Sequence, residues 1–198
     1  IYGWADKVQQ NYLLVFLFLG FPPFLAAQWS LDNEASTLSF VTVKVEHVAE
    51  VHTFDRLSGS ISTNGAVNIE IELASVNTLV PIRNERMQSM LFETKLFPTA
   101  TITGNVDIAA FAGMSPGGNE KVSLKFDLAL RNQSKTYTTE VMVTRINSGL
   151  MVSTIKPIVV TADSFDLLSG VEALREVAGL PSISRATPVS FQLILEND

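Results

Sequence analysis

From Gln28 onward the apolar positions recur every second residue. In Val67-Asn68-Ile69-Glu70-Ile71-Glu72-Leu73 each odd position is apolar and each even one polar, as a strand with one wet and one dry face requires. Lys121 to Leu128, Tyr137 to Val143 and Val189 to Leu195 repeat the alternation. Strands of this kind build antiparallel sheets, whereas doubly wound folds carry uniformly apolar ones. Between Leu38 and Val45 the apolar phase moves from Leu38 and Phe40 to Val41, Val43 and Val45, which predicts a β-bulge at Phe40-Val41. Asn64-Gly65 predicts a type I′ hairpin, since both central residues of that turn need positive φ. Ser115-Pro116-Gly117-Gly118-Asn119 and Asn147-Ser148-Gly149 mark further turns. The pattern predicts an all-β fold, an antiparallel barrel of about eight strands. Its inner face carries Val67, Ile69, Ile71 and Leu73 together with Val122, Leu124, Phe126 and Leu128.

Two segments leave the period of two and predict two short helices. After Pro81, Ile82, Met87, Met90 and Leu91 follow helical spacing over Arg83–Phe92, with Met87, Met90 and Leu91 on the buried side. The second runs from Gly170 to Ala178. Ser169 and Glu172 would form a capping box, Val171, Leu174 and Val177 or Ala178 an apolar stripe, and Gly179 the C′ residue.

The start of the chain has a different composition. The apolar run Tyr12 to Gly20 follows Lys7 and precedes Pro22-Pro23, Ala26 and Ala27, the order of parts in an export signal. The run is shorter than the roughly twenty apolar residues of a membrane span. Residues 1–27 are therefore expected to be a signal peptide and 28–198 the barrel domain, exported to a bacterial periplasm. The formal net charge of −6 comes with scattered acids and bases, leaving no electrostatic footprint for nucleic acid. Cysteine is absent, which excludes disulfides, thiolate nucleophiles and thiolate metal sites.

Candidate chemistry is sparse. Gly113-Met114-Ser115-Pro116-Gly117 matches the nucleophile-elbow pattern, but a Gly/Pro loop leads there into a strand and not a helix. His47 and His52, five apart, would face opposite sides of one strand, so a shared metal ion would require an intervening turn. Asp163 and Asp166 suit turn and cap duty. Asn132-Gln133-Ser134, a glycosylation-type sequon, sits in an expected hairpin turn. No catalytic residue and no metal site are expected.

The interior remains. A small barrel either fills with side chains or leaves room for a ligand. Phe40, Phe54, Ile71, Leu73, Met87, Leu91, Phe92, Phe97, Phe126, Leu128 and Phe165 offer bulky, adaptable apolar lining, and Arg83 and Arg86 stand where a polar headgroup would leave it. Periodicity alone does not separate a lined cavity from a filled core.

Ser75-Val76-Asn77-Thr78, then Arg83 through Phe92, then Leu96-Phe97-Pro98-Thr99-Ala100-Thr101-Ile102 resemble the central signature of the YceI-like family. Trp29-Ser30-Leu31-Asp32, Leu57-Ser58-Gly59 and Val189-Ser190-Phe191 fall in the family's order. The resemblance covers about residues 28–196. Asn84 stands where the family usually has Asp and Arg86 where many members have His, and 170–180 is longer than the family minimum. The resemblance implies an exported, lipocalin-like barrel without a catalytic centre. Such a barrel encloses an isoprenoid, an isoprenoid quinone or a quinone precursor as carrier or reservoir, and its partner is that hydrophobic small molecule, with a homodimer compatible. The other function class left open is a periplasmic structural or stress-related interaction protein with a filled core.

Overall fold

The structure, a computed structural model, describes residues 27–197. The apolar run and prolines of the expected signal peptide lie outside the described residues. Eleven strands follow in chain order among the described residues: β1 (Ala27–Lys44), β2 (Val48–Phe54), β3 (Leu57–Ser62), β4 (Ala66–Glu72), β5 (Val76–Asn77), β6 (Thr99–Asn105), β7 (Asn119–Leu130), β8 (Gln133–Arg145), β9 (Gly149–Thr154), β10 (Ile158–Thr161) and β11 (Ala186–Asn197). All pair antiparallel, in the order β10-β11-β9-β8-β7-β6-β4-β3-β1-β2-β5. The pairing of β11 back onto β1 closes eight of them into a ring, β1-β3-β4-β6-β7-β8-β9-β11, which leaves no edge in that ring.

At one end of the ring the wall changes partners. The first part of β1 pairs with β3, while Leu38 to Lys44 pair with β2 instead, and β10 joins the start of β11. β2, β5 and β10 thus extend the barrel beyond its closed ring. Two of the three helices gather near this extension, and the third packs at the opposite end. α1 (Pro81–Arg86) starts on Pro81, whose missing N–H falls where a helix has none to bond. It continues as a π-helical turn over Met87–Leu91. α2 (Ala109–Ala112) is one turn, and α3 (Leu168–Val177) lies across the π turn.

Val67, Ile69, Ile71 and Leu73, with Val122, Leu124, Phe126 and Leu128, do face the barrel interior. Other expectations need correction. No bulge occurs at Phe40-Val41: the β1–β2 ladder is regular from Leu38 to Lys44. The irregularity on the β11 side falls between Asp32 and Thr37, where the Asp32 carboxylate accepts the backbone N–H groups of Glu34 and Ala35. The apolar phase shifts because the inner face itself changes character. Leu38 and Phe40 are followed inward by Thr42 and Lys44, while Val51, opposite Val41, is 65% exposed outside.

The Asn64-Gly65 turn is not type I′. Gly65 alone has positive φ, +85°, and its N–H bonds to the Ser62 carbonyl, a three-residue loop with glycine in the left-handed position. The two-residue turn with both φ positive is Arg131-Asn132, between β7 and β8, immediately ahead of Gln133-Ser134 of the sequon.

The capping box of the last helix is not formed. α3 begins at Leu168 without a side-chain cap, and the Glu172 carboxylate turns to Arg175 and Arg185. Its other end agrees with expectation: Gly179 has φ +64°, its N–H bonds to Glu176 and that of Leu180 to Arg175, a Schellman motif. Met87 and Leu91 are buried, but Met90 is only half-buried. The π turn, in which the Phe92 N–H reaches back to the Met87 carbonyl, rotates Phe92 inward in its place.

Candidate functional site

The barrel interior divides into two halves. Around the end of β1 that carries Trp29, the side chains of Trp29, Ile61, Ile108, Phe111, Val141, Val143, Leu150 and Leu195 pack into a filled plug. Only about 80 Å³ of space remains among them. The other half encloses a cavity of about 480 Å³. Its size lies within the range of about 300–1,000 Å³ usual for small-molecule sites. Leu38, Phe40, Phe54, Ile71 and Leu128 form its strand walls, Leu73 adds to them from the turn after β4, and Met87, Leu91 and Phe92 close it from the helix side. Val80, Ile82 and Val177 line the cavity and stand at least 40% exposed, so part of the rim of the opening is apolar.

Of the residues expected to line it, Phe40, Phe54, Ile71, Leu73, Met87, Leu91, Phe92, Phe126 and Leu128 do so, as do Arg83 and Arg86. Phe97 and Phe165 do not. Phe97 sits half-buried with the Arg131 guanidinium 5.4 Å over its ring, because the strand entry after it turns the side chain away from the lumen. Phe165 is fully buried in the packed core at the end of a 3₁₀ turn, Ala162–Phe165, where it supports α3 from behind. A phenylalanine in a loop-like segment has no period to show which side it faces.

The sequence pattern gave no sign of the polar cluster inside the mouth. Because β1 and β2 pair in register, Thr42 lies opposite Glu50 and Phe40 opposite His52. The Glu50 carboxylate binds Lys44 Nζ at 2.6 Å and Arg83 Nη1 at 2.8 Å. The Lys44 hydrogen bond, with the nearby Arg83 charge, holds its carboxyl below the usual value of 4.5. Arg83 also donates from Nη2 to the Thr78 carbonyl at 2.6 Å, so its guanidinium is a fixed part of the wall. Asn84 braces the same turn by accepting from the Thr78 N–H and hydroxyl. Arg86, also on the lining, forms no side-chain hydrogen bond or ion pair among the described residues.

His52 is 3% exposed, lies in the cavity wall, and packs edge-on against Phe40. Its Nε2 is 2.9 Å from the Thr42 hydroxyl, while Nδ1 is buried without a partner, as is Arg83 Nε. Burial, reinforced by Arg83, pushes the ring below its ordinary 6.5. The exposed His47 lies in the intervening turn, apart from His52, and no group of metal-ligating side chains occurs among the described residues. Asp166 has left-handed backbone, φ +55°, and its carbonyl accepts from Arg131, as turn duty requires. The Gly113–Gly117 segment follows a helix and leads into a strand, the reverse of a nucleophile elbow. No helix among the described residues is long and apolar enough to cross a membrane.

The YceI-like domain profile matches residues 29–195. No curated protein matches the chain. Among solved structures, a polyisoprenoid binding domain from Saccharophagus degradans, implicated in plant cell wall breakdown, is 40% identical, with a TM-score of 0.86, covering 87% of this chain and 100% of its own. BcnA of Burkholderia cenocepacia is 17% identical with a TM-score of 0.65, covering 83% of this chain and 98% of its own, a likeness of fold. The YceI protein of Campylobacter jejuni, 16% identical with a TM-score of 0.53, covers 74% of this chain and 84% of its own.

Proposed function

Because the chain belongs to the YceI-like family, we propose that its barrel holds a long apolar molecule, a polyisoprenoid or isoprenoid quinone or precursor, as a non-enzymatic carrier or reservoir in the periplasm. The observation that carries this reading is the half-empty barrel: a cavity of about 480 Å³ walled mainly by hydrocarbon. Burial of a hydrocarbon chain contributes about 0.8 kcal/mol per methylene, so a long tail binds with few polar contacts. The name of the 40% identical Saccharophagus domain supports the isoprenoid class. A filled-core interaction protein fits the lower half of the barrel but leaves the upper half unexplained. The lipid is cargo in this reading, not a cofactor.

Arg86, which lines the cavity and has no side-chain partner among the described residues, would meet a headgroup oxygen, with the braced Arg83 beside it on the same helix. The test is an organic extract of the purified protein, read by mass spectrometry. A stoichiometric isoprenoid is expected; an extract free of lipid from protein that also takes up none when offered it would overturn the reading. Arg86→Gln should lower retention of a headgroup-bearing isoprenoid and leave a plain hydrocarbon of equal length unaffected.

A further inference from the structure

The cavity and the small void inside the plug are separate spaces that meet at one level of the barrel. Ile102, Phe126 and Phe191, one each on β6, β7 and β11, line both. Two residues toward the mouth, Ala100, Leu128 and Val189 line the cavity alone, while Leu124 and Leu193, two residues the other way, line the void alone. Three side chains on different strands thus make a floor. We infer that this floor, chiefly Phe126, sets how much of an apolar chain the barrel can bury, so that tail length is a property by which the protein selects its ligand. The inference rests on the lipid-holding reading and deepens it, since it fixes the depth to which the tail enters.

Phe126 is held in place from both sides. Its partner on β6 is Gly104, so no side chain contends with the ring there. Its partner on β8 is Tyr137, whose ring stacks on it with 5.7 Å between centroids and 21° between planes. Phe126 itself is buried, whereas Ile102 and Phe191 are half-buried. Below the floor the plug leaves only about 80 Å³, room for a few groups of water size at about 30 Å³ each, and a close-packed interior resists opening further. Each methylene buried above the floor strengthens binding about fourfold. Once the tail touches Phe126, a further isoprene unit stays in water at the mouth and adds almost nothing.

The experiment measures dissociation constants of geraniol, farnesol, geranylgeraniol and geranylfarnesol, each one isoprene unit longer than the last, by displacement of an apolar fluorophore from the purified protein. Wild-type affinity should climb by at least about tenfold per added unit and then stop, the next unit changing it by less than about twofold. Phe126→Ala, which joins the cavity to the void, should move that break to an alcohol one unit longer. A measurement on the wild type covers the case of a variant that does not fold. With the alcohol at the break, nuclear Overhauser contacts should link its terminal methyl groups to the Phe126 and Phe191 rings and not to the Trp29 indole of the plug. A steady climb through all four alcohols, or a break that a folded Phe126→Ala protein leaves in place, would overturn the inference while the lipid-holding reading stands. Terminal-methyl contacts to Trp29, or to α1 alone, would also overturn it. Binding of none of the four would remove both readings together.

Discussion

His52 and Glu50 stand two residues apart on β2, and both carry shifted acidities whose signs make stability depend on pH. The unfolded ring titrates near 6.5, and burial holds the folded ring lower. Below about pH 6.5 the unfolded chain therefore binds the extra proton first, and stability falls until the folded ring also titrates. Glu50, held below 4.5 by Lys44, adds stability that is full above 4.5 and is lost as the pH drops through its folded value. Thermal melts of the wild type should thus decline in two stages on acidification. His52→Phe should flatten the first stage alone; an unchanged slope between about pH 7 and 5 would mean that the ring is not neutral in the fold. Leu73, 2% exposed in the 3₁₀ turn that follows β4, makes the packing counterpart. Leu73→Ala should cost about 2–5 kcal/mol in chemical denaturation, toward the lower end where the adjoining cavity already lets neighbours relax.

At the scale of elements, the junction of α3 with the π turn sets how closely the helices can close the barrel. A Cβ on Gly170 would lie 2.7 Å from the Met90 carbonyl oxygen and 2.8 Å from Leu91 Cα, both backbone atoms that cannot swing aside. Gly170→Ala should therefore push α3 off the π turn and destabilise the protein by about 1–3 kcal/mol, the usual penalty of overpacking. Gly179→Ala, where open space surrounds the residue and only its positive φ resists a side chain, should cost about 1 kcal/mol. Urea melts of the two variants, read with their isoprenoid content, test the placement: only Gly170→Ala should alter lipid retention. A Gly170→Ala protein with wild-type stability and loading would contradict this tight crossing. The alternation in β4 and β7 identified their inward faces, and Gly179 its helix end. The capping box and the Phe40-Val41 bulge misled because Glu172 had better partners in Arg175 and Arg185, and because β1 turns a polar face inward.

Across the whole molecule, the two halves of the interior make opposite predictions. Val141, 2% exposed in the plug, contacts filled space, so Val141→Ala should lower stability by about 1–3 kcal/mol without changing lipid capacity. Ala100 lies on the wall of the cavity, and Ala100→Phe should fill part of that space, cutting isoprenoid retention while leaving the melting temperature of ligand-free protein nearly unchanged. Ligand should raise the melting temperature of the wild type with a concentration dependence set by its affinity, and raise that of the Ala100→Phe protein less. Identical shifts for both would place the ligand outside the cavity.

Strand periodicity and turn chemistry are local properties, so the antiparallel barrel, its inward residues on β4 and β7, and the apolar character of the lining were determined by the sequence itself. The signature around Arg83 to Phe92 carried the family. Whether the apolar interior was full or hollow depended on how far apart opposite walls stand, which no spacing along one strand records. The same is true of Phe97 and Phe165, whose non-strand backbones carry no period, and of the Lys44–Glu50–Arg83 and Thr42–His52 contacts. These residues, up to 41 positions apart in the chain, meet only because β1 and β2 pair in one register and α1 folds over them.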